Sequence, residues 1–178
     1  TVILPSDRFE TAALMKRLVV HVGPTYVRIG RNPVEDVYDK EPEDFEIGKA
    51  ITLREGSDLT VIAAGETVKI AVETAEILNQ RGILCRVINM HTIKPIDAES
   101  IICAAKETKA IITIEEHSIY GVLGSAVSEI VSQAYPVPIR IFGIPDEPAI
   151  AGNTGEVFCY YGIEPQNIAK EAERILKT

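Results

Sequence analysis

The chain has 178 residues, 46% apolar and 25% charged, a balance that suits a folded domain with a filled core and excludes a disordered polymer. A net charge of −8, without a dense basic run or basic–aromatic interleaving, argues against nucleic acid as a partner, because an acidic surface repels a phosphate backbone. No apolar stretch approaches the roughly 20 residues that cross a bilayer, and Thr1 to Asp7 lack the charged-then-apolar order of a signal peptide, so no membrane partner and a cytoplasmic location are expected.

The chain opens on Thr1 with no Met, which leads us to expect an upstream region. Val2-Ile3-Leu4 reads as a strand, Arg8 to Val20 as a helix, and Tyr26-Val27-Arg28-Ile29, after Pro24, as a second strand. This small βαβ piece has too little material for a core of its own and is expected to end a preceding domain. Asn32 to Asp44 carries two prolines and six acidic residues, a composition suited to a solvated connection.

From Asp58 onward β-branched runs alternate with helical stretches, the pattern of βαβ crossovers. The strands are Leu59 to Ala64, Cys85 to Ile88, Ala110 to Ile114 and Ile139 to Phe142. Helices are expected from Val68 to Gln80, from about Asp97, from Gly121–Gly124 to about Ala134, and from Pro165 to Leu176. Gly82 suits the left-handed close of the first, Asp97 the amino-terminal cap of the second, and Pro165 the first turn of the last. The predicted fold is α/β, with three α/β/α layers around a mostly parallel sheet; the domains are expected at residues 1–45 and 46–178.

Arg28 and Arg31 flank Ile29-Gly30 at the end of a predicted strand, where open α/β sheets commonly bind ligands. A planar guanidinium at Arg31 suits a phosphate, and Gly30 would let an anion approach the backbone; the alternative is an ion pair from Arg31 to Glu35 or Asp36. Glu115 and His117 share a side if their strand continues, so they suit proton transfer or a metal, or else simply cap, pair or face solvent. Gly121-Val122-Leu123-Gly124-Ser125 offers amides at a helix start but lacks the endings of a phosphate loop or dinucleotide fingerprint, which favours close packing as the reason for the glycines. His91 and Lys94 fall in a loop after a strand, and His21 lies where a helix dipole welcomes it. Ser118 and Ser125 lack a nucleophile context. Cys85, Cys103 and Cys159 are odd in number without ligand-like spacing, which predicts buried free thiols rather than disulfides or a zinc site. These residues alone name no reaction.

The order of several blocks resembles the carboxy-terminal part of transketolase over nearly the whole chain. They are Leu4-Pro5-Ser6-Asp7-Arg8-Phe9-Glu10, Val27-Arg28-Ile29-Gly30-Arg31-Asn32-Pro33, Phe45-Glu46-Ile47-Gly48-Lys49-Ala50 and Asp58 to Gly65. Met90-His91-Thr92-Ile93-Lys94-Pro95-Ile96-Asp97, Thr113-Ile114-Glu115-Glu116-His117 and Gly121 to Val127 complete the set; Val122 stands where relatives often carry a second glycine. By this resemblance residues 1–45 end a pyrimidine-binding domain and its linker, and residues 46–178 form the transketolase C-terminal domain.

The resemblance implies a homodimeric, thiamine-diphosphate- and Mg-dependent enzyme that moves a two-carbon ketol unit between sugar phosphates, as in the pentose phosphate pathway. The cofactor's diphosphate and metal sites and its activating glutamate lie outside these residues. The chain is then inactive alone and needs an upstream region or a separate N-terminal subunit. Arg31 matches the family arginine that contacts the substrate phosphate, with Arg28 a weaker second whose alternative is a structural role; no catalytic role carries over to Glu115, Glu116 or His117. Deoxyxylulose-phosphate synthase and the beta subunits of 2-oxo-acid dehydrogenases share the architecture, and a non-catalytic assembly module is the alternative of another class.

Overall fold

The computed structural model describes residues 1–177. In chain order its elements are β1 (Val2–Ile3), α1 (Arg8–Leu18), β2 (Tyr26–Val27), β3 (Ile51–Arg54), β4 (Leu59–Ala63), α2 (Thr67–Gln80), β5 (Cys85–Asn89), β6 (Thr92–Lys94), α3 (Ala98–Glu107), β7 (Ile111–Ser118), α4 (Leu123–Ala134), β8 (Ile139–Ile144), α5 (Thr154–Tyr160) and α6 (Pro165–Ile175).

The main sheet has the order β3-β5-β4-β7-β8, parallel throughout except for β3, which runs antiparallel along β5. Its central strand, β4, is buried along its whole length because both faces of the sheet are covered. Leu59, Val61 and Ala63 point to the face covered by α2 and α6, where Val68, Ala71, Leu78, Ile168 and Ala172 meet them. Ile62 and Ala64 point the other way, toward Ile101 and Ala104 of α3 and Leu123 and Val127 of α4. The period-two alternation of the strand thus feeds two apolar layers, each large buried side chain contributing roughly 1.5–3 kcal/mol. The three-layer, mostly parallel α/β/α fold agrees with the alternation of apolar runs and helical stretches.

A second, three-stranded sheet joins the first residues to the rest. β1 and β2 are parallel across α1, while β1 also pairs antiparallel with β6. Ile3, Ala13, Leu14, Phe45 and Ile51 form a shared core between the two parts, so the βαβ piece borrows the apolar surface it lacks. Asp7 caps α1 by accepting from the Glu10 amide at 2.8 Å.

Several local expectations change. β3, β6 and α5 were not anticipated, α1 stops at Leu18, and β7 runs on through Ser118. The segment from Asn32 to Asp44 is not simply solvated: the amides of Val37 and Tyr38 both donate to Asp7 Oδ2 at 2.9 Å, which ties down its middle. All three cysteines are free, but only Cys85 is buried; Cys103 and Cys159 are exposed, on the outward faces of α3 and α5.

Candidate functional site

Open α/β sheets bind ligands beyond the carboxyl ends of their strands, where the strand order reverses. Here β4 is that point, with β5 on one side and β7 on the other. The chain's own first residues fill the space. Leu4 N donates to the His91 carbonyl at 2.7 Å, and Leu4 O accepts from Gly65 N at 3.2 Å, which extends β1 across the ends of β5 and β4. Arg28 Nη2 donates to both the backbone oxygen and the carboxylate of Glu116, the latter at 2.8 Å. Beyond β8, Asn32 Nδ2 donates to Thr154 Oγ1 at 2.9 Å. Between Leu4, Arg28, Gly65 and Glu116 a cavity of about 10 Å³ remains, room for roughly one water.

A buried polar network secures the same junction. Glu10 accepts from Ser6 N at 2.6 Å, Ser6 Oγ at 2.8 Å and Asn89 Nδ2 at 2.7 Å, while Asn89 also donates to Tyr38 Oη at 2.9 Å. Burial pushes the Glu10 carboxyl up to about 7, against the pull of those donors. Sequence reading missed this network; its only local signal was Asp7 followed three residues later by Glu10, the spacing of a capping box. The Glu10 carboxylate in fact reaches Ser6 rather than the Asp7 amide.

The two arginines part company. Arg28 is half-buried and engaged with Glu116. Arg31 is exposed and makes no hydrogen bond or ion pair with any described residue. Its two acidic neighbours are taken elsewhere: Asp36 pairs with Arg8 at 2.7 Å and Glu35 with Lys69 at 3.5 Å. Gly30 and Asn32, on either side of Arg31, line an open groove of about 530 Å³ with Ser6, Arg8, Ile29 and Glu66.

Glu115 is buried, and its carboxylate accepts from the amides of Leu123 and Gly124 at 3.0 and 2.8 Å. It therefore satisfies the free amino terminus of α4, and those amides are not open to a phosphate. A side chain at Gly124 would meet Ile141 Cγ2 at 2.6 Å, so that glycine serves the approach of α4 to β8. His117 is exposed, and the structure does not pair it with Glu115 by hydrogen bonding.

His91 is fully buried against Phe45, ring centroids 4.3 Å apart, with Nδ1 2.9 Å from Thr92 Oγ1; burial pushes it down to about 4. Lys94 is exposed. His21 Nε2 lies 3.3 Å from Thr1 Oγ1. Ser118 and Ser125 accept from the amides of Tyr120 and Gly121, which are local turn contacts. Among the described residues no group of three or more His, Cys, Asp or Glu side chains is placed to hold a metal ion.

Residues 48–168 match the family described as transketolase, C-terminal domain. The chain is 48% identical over 176 residues to a subunit of the apulose-4-phosphate transketolase of Phocaeicola vulgatus, covering 99% of this chain and 56% of that protein. It is 39% identical over 178 residues to a putative transketolase C-terminal section of Methanocaldococcus jannaschii, covering 99% and 55%. A solved structure described as split gene transketolase, inactive beta4 tetramer, superposes with a TM-score of 0.90 at 36% identity, covering 99% of this chain and 57% of that one. The chain spans about half the length of the curated relatives it matches.

Proposed function

The chain belongs to the transketolase C-terminal domain family, and on that premise we propose that it is the carboxy-terminal portion of a thiamine-diphosphate-dependent transketolase that moves a two-carbon ketol unit between sugar phosphates. Residues 1–45 end the pyrimidine-binding domain and its linker, and residues 46–178 are the C-terminal domain. The enzyme is completed by an upstream region or a separate N-terminal subunit and works as a homodimer in sugar-phosphate interconversion of the pentose phosphate type. Two similar proteins, one described as a transketolase subunit and the other as a C-terminal section, favour a divided enzyme.

Thiamine diphosphate, with Mg, supplies the carbanion-stabilising chemistry when bound. The described residues do not fit the diphosphate–metal pair: no acidic or His/Cys cluster is placed for the cation, and Glu115 occupies the α4 amides. No step is assigned to the cofactor on this chain. What the chain contributes is a contact to the substrate's anionic end, and the observation that carries this is Arg31. It is an exposed guanidinium without a described protein partner, set beside an open groove in an acidic molecule, where an unpaired planar fork suits a phosphate.

In the completed enzyme Arg31→Ala should raise KM for a phosphorylated acceptor about tenfold or more while leaving an unphosphorylated acceptor within about twofold, because a charge-assisted contact to the phosphate is lost. Equal losses on both acceptors would make Arg31 structural.

A further inference from the structure

Sequence alone places Arg28 second to Arg31 as an anion contact, and their surroundings differ in sign. Arg28 reaches from the end of β2 to the end of β7, where one nitrogen serves two oxygens of Glu116. Its backbone is held as well, with Arg28 N donating to Ile3 O at 3.0 Å. A second carboxylate, Glu66 at the start of α2, lies over Gly30 so closely that any side chain at position 30 would overlap it. The three groups feel one another: burial and Glu116 raise the Glu66 carboxyl, and Arg28 draws it back. One cation among two carboxylates leaves that spot unfit for a phosphate, which would have to displace a half-buried ion pair and face two like charges.

The same contacts bracket Arg31. Arg28 anchors the chain before it, Glu66 fills the space at Gly30, and Asn32 ties the next residue to Thr154. We propose that Arg28, Glu116 and Glu66 form a positioning clasp that holds the Gly30–Arg31 segment across the carboxyl ends of β4 and β7, so that Arg31 rather than Arg28 meets the anionic group of the substrate. This rests on the reading of Arg31 as the phosphate contact. Arg28 is a positioning residue that acts through Arg31, and the C-terminal sheet uses its ligand crevice to seat that device.

The test is a cycle of Arg28→Lys, Arg31→Ala and the double variant in the completed enzyme, with KM measured for phosphorylated and unphosphorylated acceptors and thermal unfolding recorded for each. Lysine keeps the charge, but its shorter side chain does not carry a nitrogen to where Arg28 Nη2 serves both Glu116 oxygens, so Arg28→Lys should raise KM for the phosphorylated acceptor about fivefold and leave the other within about twofold. In the Arg31→Ala background the same change should add less than about twofold, since a residue acting through Arg31 has nothing left to position. Glu66→Ala, which removes the side chain lying over Gly30 without touching Arg28 or Arg31, should reproduce the Arg28→Lys pattern. Multiplicative losses would show that Arg28 touches the anion itself, and equal losses on both acceptors would reduce it to a structural joint; either overturns the clasp. A discriminating Arg31→Ala with a silent Arg28→Lys overturns the clasp alone, whereas an Arg31→Ala without discrimination overturns the phosphate reading and the clasp together.

Discussion

Glu10 carries a titration that belongs to the junction between the first helix and the sheet. It is fully buried and Asp7 adds a like charge, so its carboxyl moves from an ordinary 4.5 to about 7 against the pull of its donors Ser6 and Asn89. In the unfolded chain the group ionises near 4.5, while in the fold it keeps its proton to about 7. Its contribution to stability is therefore fully present below about 4.5 and is lost as pH rises to about 7, a change of about 3 kcal/mol. Glu10→Gln, which cannot ionise, should flatten that part of the stability curve, as read by urea unfolding across this range, at the cost of one acceptor for Ser6 or Asn89. A variant with an unchanged pH slope would contradict the assignment. Residue by residue, little of this was legible: the type and spacing of Arg28 and Arg31 mark an anion-ready strand end, but Glu116, which separates their roles, lies 88 residues along the chain from Arg28. Burial at His91 was equally hidden, because the Phe45 that covers it comes from the far side of the connection.

Among the elements, α4 depends on a cap that its own sequence does not contain. Val122 precedes it and offers no side-chain acceptor, so Glu115, toward the end of β7, serves the Leu123 and Gly124 amides. Glu115→Ala should lower unfolding stability by about 2–4 kcal/mol because two buried amides lose a charged acceptor; Glu115→Gln, retaining one oxygen, should lose about half as much. If calorimetry found the alanine variant as stable as wild type, the cap would contribute nothing. The central strands and long helices were readable because burial on one or both faces imposes a period of two or a stripe at helical spacing. β3 escaped because it is an antiparallel edge with one buried residue in four, Ile51, which leaves no period to see. The seven-residue α5 is too short for such a stripe, and its capping box at Asn153 and Glu156 was the one local sign of it.

At the scale of the whole molecule, the first residues of the chain cover the end of the sheet where open α/β folds commonly bind ligands. The carboxyl ends of β4, β5 and β7 are occupied by Leu4, Asn89 with Glu10, and Arg28, and this covering carries Arg31 to the surface beside an open groove. On the proposed reading, the domain is a platform that places the Arg31 guanidinium. A reaction of the proposed kind then requires a cofactor site from elsewhere. The most direct measurement is ketol transfer from a ketose phosphate to an aldose phosphate, with thiamine diphosphate and magnesium, by this chain alone and by the chain joined to its upstream region or partner subunit. Transfer is expected only in the completed form; transfer by the chain alone, or none in the completed enzyme, would contradict the proposed division of labour.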